Sequence, residues 1–168
     1  IACANDAIRQ EAARNAEYQH MGTTLVCAVA RSDMAIIGNI GDSRAYHITP
    51  EGIFQISRDH SVVENMVAKG DLTPLEARTH PNRNLITRAL GPDIHAKADT
   101  FELPWHKDEF LLLCSDGLVN TVSDQEMLFE VLHDGDVNEC LDHLLQISLQ
   151  RGAPDNITAV LLLNEEGR

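Results

Sequence analysis

Residues 111–126 read LLLCSDGLVNTVSDQE, and the apolar run in this stretch gives way to a carboxylate and a glycine at Asp116 and Gly117. The run begins one residue earlier, as FLLLC, and a short apolar run that ends at a turn signal is typical of a buried β-strand. The sequence SDQE, which begins at Ser123, has the spacing of a capping box at a helix start. The stretch therefore predicts a strand that carries Asp116 out of the core, followed by a capped helix.

Four more short apolar runs lie upstream, within residues 23–57: TTLVCAVA, MAIIGNI, RAYHI and IFQIS. The turn residues RSD, GDS and TPEG separate them, so this part of the chain predicts a meander of antiparallel strands joined by hairpins. Capping boxes follow at SVVE and TPLE, which begin at Ser61 and Thr73. They predict two short helices between residues 61 and 84.

The remaining segments complete the predicted fold. The opening residues are rich in alanine, with apolar residues at helical spacing, and predict a helix. Further strands are predicted at LITRAL, AKADTFEL, EFLLLC and NITAVLLL, and helices at SDQEMLFEVL and DVNECLDHLLQISLQRG. Strands in runs and helices in blocks predict an α+β fold, in which antiparallel sheets carry helices on their outer faces.

Composition limits the class of protein. The chain has 168 residues, 43% of them hydrophobic, which is enough for one globular domain with a substantial core. Its 13 Lys+Arg against 26 Asp+Glu give a formal net charge of −13, which argues against nucleic acid and favours cations or basic partners. Four cysteines without a CxxC pair, and no apolar stretch of about 18 residues, predict a soluble cytoplasmic protein.

Two aspartates stand at the ends of strongly apolar predicted strands. Asp116 follows FLLLC, and Asp155 precedes NITAVLLL. If these strands are antiparallel neighbours, the two carboxylates converge at one end of a sheet, where their repulsion calls for a proton or a cation. Carboxylate oxygens suit Mg²⁺ or Mn²⁺. Ordinary turn chemistry accounts for SDG and PDN equally well, so these residues alone leave both interpretations open.

Six motifs in a fixed order make a stronger case. They are MGTT (21–24), GNIGDSRAY (38–46), RDHS (58–61), LITRALG (85–91), LLLCSDGL (111–118) and PDNIT (154–158). Their order and spacing resemble the metal-dependent type 2C serine/threonine protein phosphatases, particularly the bacterial ones. Each motif is weak by itself, but together they cover nearly the whole chain.

This resemblance implies a sandwich of two antiparallel β-sheets flanked by helices, with residues 1–168 as a single phosphatase domain and residues 61–84 as a mobile flap. It implies two Mg²⁺ or Mn²⁺ ions, with a third in bacterial members, and a metal-activated water that hydrolyses phosphoserine or phosphothreonine on proteins. Asp116 and Asp155 match ligands of the catalytic metal pair. Asp59 matches a ligand of the additional metal. The expected partners are phosphorylated proteins that are substrates of a serine/threonine kinase.

Other polar residues receive plainer interpretations. Asp42, in GDSR, is interpreted as part of a hairpin connection, with Arg44 bracing the turn. His60 and His80 lie nearest the predicted site in sequence, but neither has the spacing of a metal ligand, so we expect surface or flap positions. Asp124 is expected to stabilise a helix start.

The sequence also departs from the family pattern. Members carry, upstream of MGTT, an Arg that binds phosphate and an Asp-Gly-Met-Gly-Gly loop whose Asp bridges the metals, whereas this chain begins at Ile1. We therefore expect an N-terminally incomplete domain that is weakly active or inactive by itself and that self-associates through exposed sheet edges. The alternative is a non-catalytic remnant that serves as a binding or regulatory module.

Overall fold

The computed structural model describes residues 1–133 and 136–166. Its strands form two antiparallel sheets, and its helices lie outside them, as the α+β prediction requires. A 3₁₀ turn over Ala16–Tyr18 follows the first helix. The elements are α1 Ala2–Arg14, β1 Leu25–Ala30, β2 Met34–Ile40, β3 Arg44–Thr49, β4 Gly52–Gln55, α2 Val62–Lys69, α3 Pro74–Ala77, β5 Asp99–Pro104, β6 Phe110–Cys114, α4 Asp116–Val119, α5 Asp124–His133, α6 Val137–Gln150 and β7 Ala159–Leu163.

The two sheets have the strand orders β1-β2-β5 and β4-β3-β6-β7, and all neighbouring strands are antiparallel. Apolar side chains from both sheets fill the layer between them. Alternate residues of β2, such as Ala35 and Ile37, are fully buried there, and they meet Ala45 of β3 and Leu111 of β6. The period-2 alternation of a strand thus builds the inter-sheet core.

The strand β6 is buried on both faces, which explains why FLLLC has no polar alternation. Leu111 packs into the layer between the sheets, whereas Leu112 and Cys114 pack against the helices on the other side. That second layer comes from helices α4, α5 and α6 and the turn between α4 and α5, through the buried residues Leu118, Val122, Met127, Val131, Cys140 and Leu144. A central strand between two apolar layers reads as a continuous hydrophobic run.

The predicted meander over residues 23–57 is wrong at its middle connection. The pairs β1–β2 and β3–β4 are hairpins, but β2 and β3 belong to different sheets, so residues 41–43 cross from one sheet to the other. Gly41 makes this crossing with φ +108, and a Cβ there would overlap Thr24. A Gly-Asp-Ser sequence serves a hairpin and a sheet-to-sheet corner equally well, so the sequence pattern did not distinguish them.

The predicted strand LITRAL is also wrong. Residues 85–90 contain only two isolated bridges, Ser61 with Ile86 and Thr23 with Leu90. The backbone N–H of Thr87 donates to the carbonyl of His60 instead of joining a ladder. With Ile86 exposed, the run lacks a second layer to pack against, and an apolar run forms a strand only where a neighbour supplies hydrogen bonds.

The predicted helix starts are confirmed. Ser61 caps α2 by accepting the N–H of Glu64, and Thr73 and Glu76 form a complete capping box at α3. At the start of α5, the N–H of Ser123 donates to the carboxylate of Glu126, and the N–H of Glu126 donates to Ser123 Oγ. In the described part of the chain, no helix has both the length and the apolar character that crossing a membrane would need.

Edge strands bound both sheets in the part of the chain that the structure describes. Each of β1, β5, β4 and β7 has a hydrogen-bonded neighbour on one side only. Val29 on β1 and Val160 on β7 are 63% and 48% exposed. Open strand edges with apolar side chains can pair with another chain, so self-association stays a prediction with two defined sites.

We expect Val29→Lys and Val160→Lys to lower self-association, because a lysine on an edge strand resists pairing with a second edge. Leu75→Lys is the matched control, since Leu75 is 75% exposed on α3, away from either edge. Light scattering over a concentration series measures the effect. An unchanged molar mass profile in both edge variants, or an equal change in the control, would contradict edge pairing.

Candidate functional site

The prediction that the strands next to Asp116 and Asp155 are antiparallel neighbours is confirmed. β6 pairs with β7, with Cys114 opposite Ala159. Asp116 begins α4 just after β6, and Asp155 lies in the loop that leads into β7. Both residues line the same cleft at this end of the sheet, which has a volume of about 920 Å³.

Short contacts fix the two loops against each other. The N–H of Ser115 donates to the carbonyl of Thr158 at 2.9 Å, and the Thr158 N–H donates to Ser115 Oγ at 3.0 Å. Gly117 packs so closely on the next loop that a Cβ there would overlap the carbonyl oxygen of Asn156. The absence of a side chain at Gly117 therefore allows the Asp116 turn to sit against the Asp155 loop.

The electrostatics of Asp116 show that the two carboxylates interact. Burial raises the pKa of Asp116 above its ordinary value, and the charge of Asp155 raises it further. A raised carboxyl pKa means that the protein environment disfavours the negative charge. A cation held between the two carboxylates would relieve this penalty.

Asp42 also belongs to this cleft, which the sequence analysis missed. Burial raises its pKa above the ordinary value, and the nearby charges of Asp116 and Asp59 add to the effect. The hairpin interpretation placed Asp42 between two paired strands, but its turn crosses between the sheets and delivers the carboxylate to the cleft. No local signal in GDSR could have shown this, because it depends on which sheet β3 joins.

Asp59 lies in the cleft, but it is paired. Arg44 donates to it from Nε at 3.0 Å and from Nη2 at 2.7 Å, and Gln55 donates from Nε2 at 3.1 Å. Burial lowers the pKa of Arg44, but the hydrogen bonds and charges of Asp59 and Tyr46 together raise it above its ordinary value. Asp59 is therefore not a free carboxylate, and Arg44 braces Asp59 and not the turn that carries Asp42.

His60 is a buried structural link, which corrects the expectation of a surface or flap position. Only 5% exposed, it accepts the N–H of Gly41 at Nδ1 over 3.1 Å. Nε2 then carries the proton and donates to Asp99 at 3.0 Å, and this bond, followed by that from Arg88, lowers the pKa of Asp99. His80 lies within residues 61–84 as expected, and its Nδ1 accepts a local backbone N–H.

Asp124 stands where it was predicted, in the first turn of α5. It also lines the cleft and accepts a long hydrogen bond of 3.5 Å from the hydroxyl of Tyr46. Acidic side chains at a helix start are stabilised by the helix dipole. The structural interpretation of Asp124 therefore suffices.

The donor set fits a metal ion that keeps several of its waters. Within residues 1–133 and 136–166, no three His, Cys, Asp or Glu side chains are grouped closely enough to hold a metal by themselves. Asp116 and Asp155 would offer two hard carboxylate oxygens to such an ion, beside Asp42, and Mg²⁺ is commonly held by one or two carboxylates, with waters and substrate oxygens completing its shell. These carboxylates fit a metal ion that is only partly coordinated by protein.

The chain belongs to the protein phosphatase 2C family, whose model matches residues 2–161. The serine/threonine phosphatase stp of Listeria monocytogenes is 36% identical over 151 residues, which cover 88% of this chain and 60% of that protein. The chain therefore spans less than two thirds of this relative's length.

Solved structures agree with this assignment. The serine/threonine phosphatase Stp1 from Staphylococcus aureus superposes with a TM-score of 0.90 and 41% identity, covering 95% of this chain and 63% of that chain. The catalytic domain of the serine/threonine protein phosphatase PstP, in complex with two manganese ions, has a TM-score of 0.84 and 32% identity, covering 94% of this chain and 65% of that one. The predicted fold and family are both confirmed.

Gly117→Ala tests the contact between the two loops. We expect the added methyl group to push the Asn156 backbone away and to cost about 2 kcal/mol of unfolding free energy. Urea denaturation measures this loss, and Mn²⁺ titration should show weaker binding as the two carboxylates separate. Gly70→Ala is the control, because Gly70 has open space but a φ of +81, so it tests backbone strain alone. Equal metal binding by Gly117→Ala and the parent chain would contradict this role.

Asp42→Asn tests the repulsion in the cleft. Because the folded-state pKa of Asp42 is raised, its charge destabilises the fold at neutral pH, and the penalty disappears as pH falls through that pKa. In metal-free buffer at pH 7 we expect the variant to melt about 2 °C higher than the parent, with the gap closing towards pH 4. Excess Mn²⁺ should stabilise the parent more than the variant. A lower melting temperature at pH 7 would show that Asp42 is a purely structural residue.

Proposed function

We propose that the complete protein hydrolyses phosphoserine and phosphothreonine on protein substrates in a reaction that depends on Mg²⁺ or Mn²⁺. The observation that carries this proposal is the placement of Asp116 and Asp155 in one cleft by the β6–β7 pairing and the Ser115–Thr158 contacts. The names of the similar proteins, which are serine/threonine phosphatases, support it. They favour the enzyme over the non-catalytic remnant.

Asp116 and Asp155 would hold the catalytic cations, and Asp42 lies beside them as a further candidate. A bound Mg²⁺ or Mn²⁺ would lower the pKa of a water molecule and neutralise charge on the phosphoryl group. The two manganese ions of the similar PstP structure support this choice of cofactor.

This chain's own residues have a positioning task. Asp116 stands on the rigid end of a doubly buried strand, and the contacts of Ser115 and Gly117 hold the Asp155 loop beside it. Such a frame holds carboxylates in place more accurately than two free loops would. Preorganised charge in a cleft is the usual means by which a protein assists phosphoryl transfer.

Asp59 remains a proposed ligand of an additional metal. Its Oδ1 already accepts hydrogen bonds from Arg44 Nε and Gln55 Nε2, and its Oδ2 accepts from Nε and Nη2 of Arg44. A cation at Asp59 would have to displace at least one of these donors. Asp59 is therefore expected to bind metal less tightly than the pair formed by Asp116 and Asp155.

The other proposals follow from the family. Residues 1–168 are proposed to form a single, partial phosphatase domain, with residues 61–84 as its flap. The substrates are proposed to be phosphoproteins made by a serine/threonine kinase. A cytoplasmic location stays a prediction, and so does weak or absent activity of the 168-residue chain by itself.

Asp116→Asn and Asp155→Asn, in the full-length protein, should each lower turnover of p-nitrophenyl phosphate by roughly a hundredfold, about 3 kcal/mol of transition-state stabilisation. The reason is that each change removes one anionic ligand while nearly keeping side-chain size. Initial rates with Mn²⁺ and with a phosphothreonine peptide provide the measurement. Asp33→Asn is the control, since Asp33 is exposed in the turn between β1 and β2. Full activity in either variant would show that SDG or PDN is only a turn.

A further inference from the structure

The arginines of this acidic chain fall into two groups. Most of the described ones already have partners: Arg9 donates to backbone carbonyls, and ion pairs hold Arg14, Arg44, Arg58, Arg88 and Arg151. Within residues 1–133 and 136–166, the side chains of Arg31, Arg78 and Arg83 have no hydrogen-bonded or ionic partner, and of these three only Arg78 and Arg83 line the cleft described above. Both are exposed. In a chain with 26 acidic residues, two unpaired guanidiniums close in sequence need an explanation.

Arg78 and Arg83 line the cleft that contains Asp116 and Asp155. Arg78 follows the last residue of α3, and Arg83 lies in the turns after it. The same wall includes apolar side chains of α2, among them Val63 and Val67. The cleft therefore has an acidic side at the end of the sheet and a wall, formed by residues 61–84, that combines apolar surface, the charges of Arg78 and Arg83, and Glu64, whose carboxylate is paired with Arg58.

This wall is anchored to the same frame as the acidic side. The N–H of Val62 donates to the carbonyl of Leu85, which ties the two ends of the segment together, and Thr87 is bonded to His60. His60 in turn holds the Gly41 turn that carries Asp42. The segment that presents Arg78 and Arg83 is thus joined at its base to the turn that enters the cleft.

We propose that Arg78 and Arg83 bind acidic residues that flank the phosphorylated residue of a protein substrate, so that the cleft selects acidic phosphopeptides. The inference rests on the proposed function and names the substrate class of that site. A guanidinium recognises a carboxylate through two parallel hydrogen bonds. The chain's formal net charge of −13 would otherwise repel such a peptide. Two unpaired arginines on one wall of the cleft supply the local attraction.

The expected effect is moderate, because both side chains are exposed and salt screens them. Exposed ion pairs contribute about 0.2–1 kcal/mol, so each arginine should change the preference for an acidic peptide by about 1.4- to fivefold. Added salt should weaken the preference for the acidic peptide, because it shortens the Debye length.

The experiment uses the full-length protein and two phosphonate-containing peptides that cannot be hydrolysed. The peptides differ only at the flanking positions, which are Asp and Glu in one and Asn and Gln in the other. Fluorescence anisotropy gives both dissociation constants for the parent protein, for Arg78→Gln, for Arg83→Gln and for the double variant. Arg31→Gln is the matched control, since Arg31 is exposed in the turn between β1 and β2 and does not line the cleft.

The decisive quantity is the dissociation constant of the Asn/Gln peptide divided by that of the Asp/Glu peptide. Partial unfolding weakens the binding of both peptides equally and leaves this ratio unchanged. A ratio that falls in each cleft variant, falls further in the double variant and stays constant in Arg31→Gln supports the proposal. Arg83→Glu should then favour a peptide flanked by lysines. A ratio equal to that of the parent, or an equal fall in Arg31→Gln, overturns it.

Failure of the proposed function would be visible separately. The parent protein with Mn²⁺ would then not hydrolyse p-nitrophenyl phosphate, whereas the anisotropy ratio would still report whether the arginines select acidic flanks. A parent protein that is active but shows no preference between the two peptides refutes the inference alone.

Discussion

The burial of β6 on both faces is the constraint on which the rest of the structure depends. Leu111 packs between the two sheets, and Leu112 packs under the helices, so the strand can neither slide nor rotate without exposing one of the two cores. A shift by one residue would reverse every side chain on the strand. The apolar packing of β6 therefore fixes the point at which Asp116 leaves the core.

Polar contacts then convert this fixed point into a site that is electrostatically unfavourable by itself. The Ser115 and Gly117 contacts bring the Asp155 loop against Asp116, and the sheet-to-sheet turn adds Asp42. The pKa values of Asp116 and Asp42 are raised mainly by burial and further by the neighbouring carboxylates. Natural proteins accept such local destabilisation where a ligand needs it. The packing of β6 is what allows the fold to hold these charges together.

Much of this architecture could be predicted from the sequence because local patterns specify it. Apolar runs, caps and motif order predict the strand FLLLC, the capping residues at Ser61 and Thr73 and the adjacency of Asp116 and Asp155. They do not predict which strands or which side chains pair over long range. Neither the sheet that β3 joins nor the Arg44–Asp59 pair is encoded in any local window, because each is decided by long-range packing. The prediction for LITRAL was wrong for the same reason.

The contacts that local sequence patterns did not predict lie around Asp59 and His60, and they have a common role. His60 bonds to Gly41, Asp99 and the backbone of Thr87, and Arg44 holds the adjacent Asp59. These bonds join the base of residues 61–84 to the turn that carries Asp42. Asp59 is bonded to Arg44 of β3 and Gln55 of β4, whereas His60 links the base of residues 61–84 to the Gly41 turn through the core. Because His60 is buried and its ring is bonded through both nitrogens, the segment that presents Arg78 and Arg83 shares one fixed attachment with the turn that carries Asp42. The base of this segment is therefore positioned by the same frame that holds Asp42.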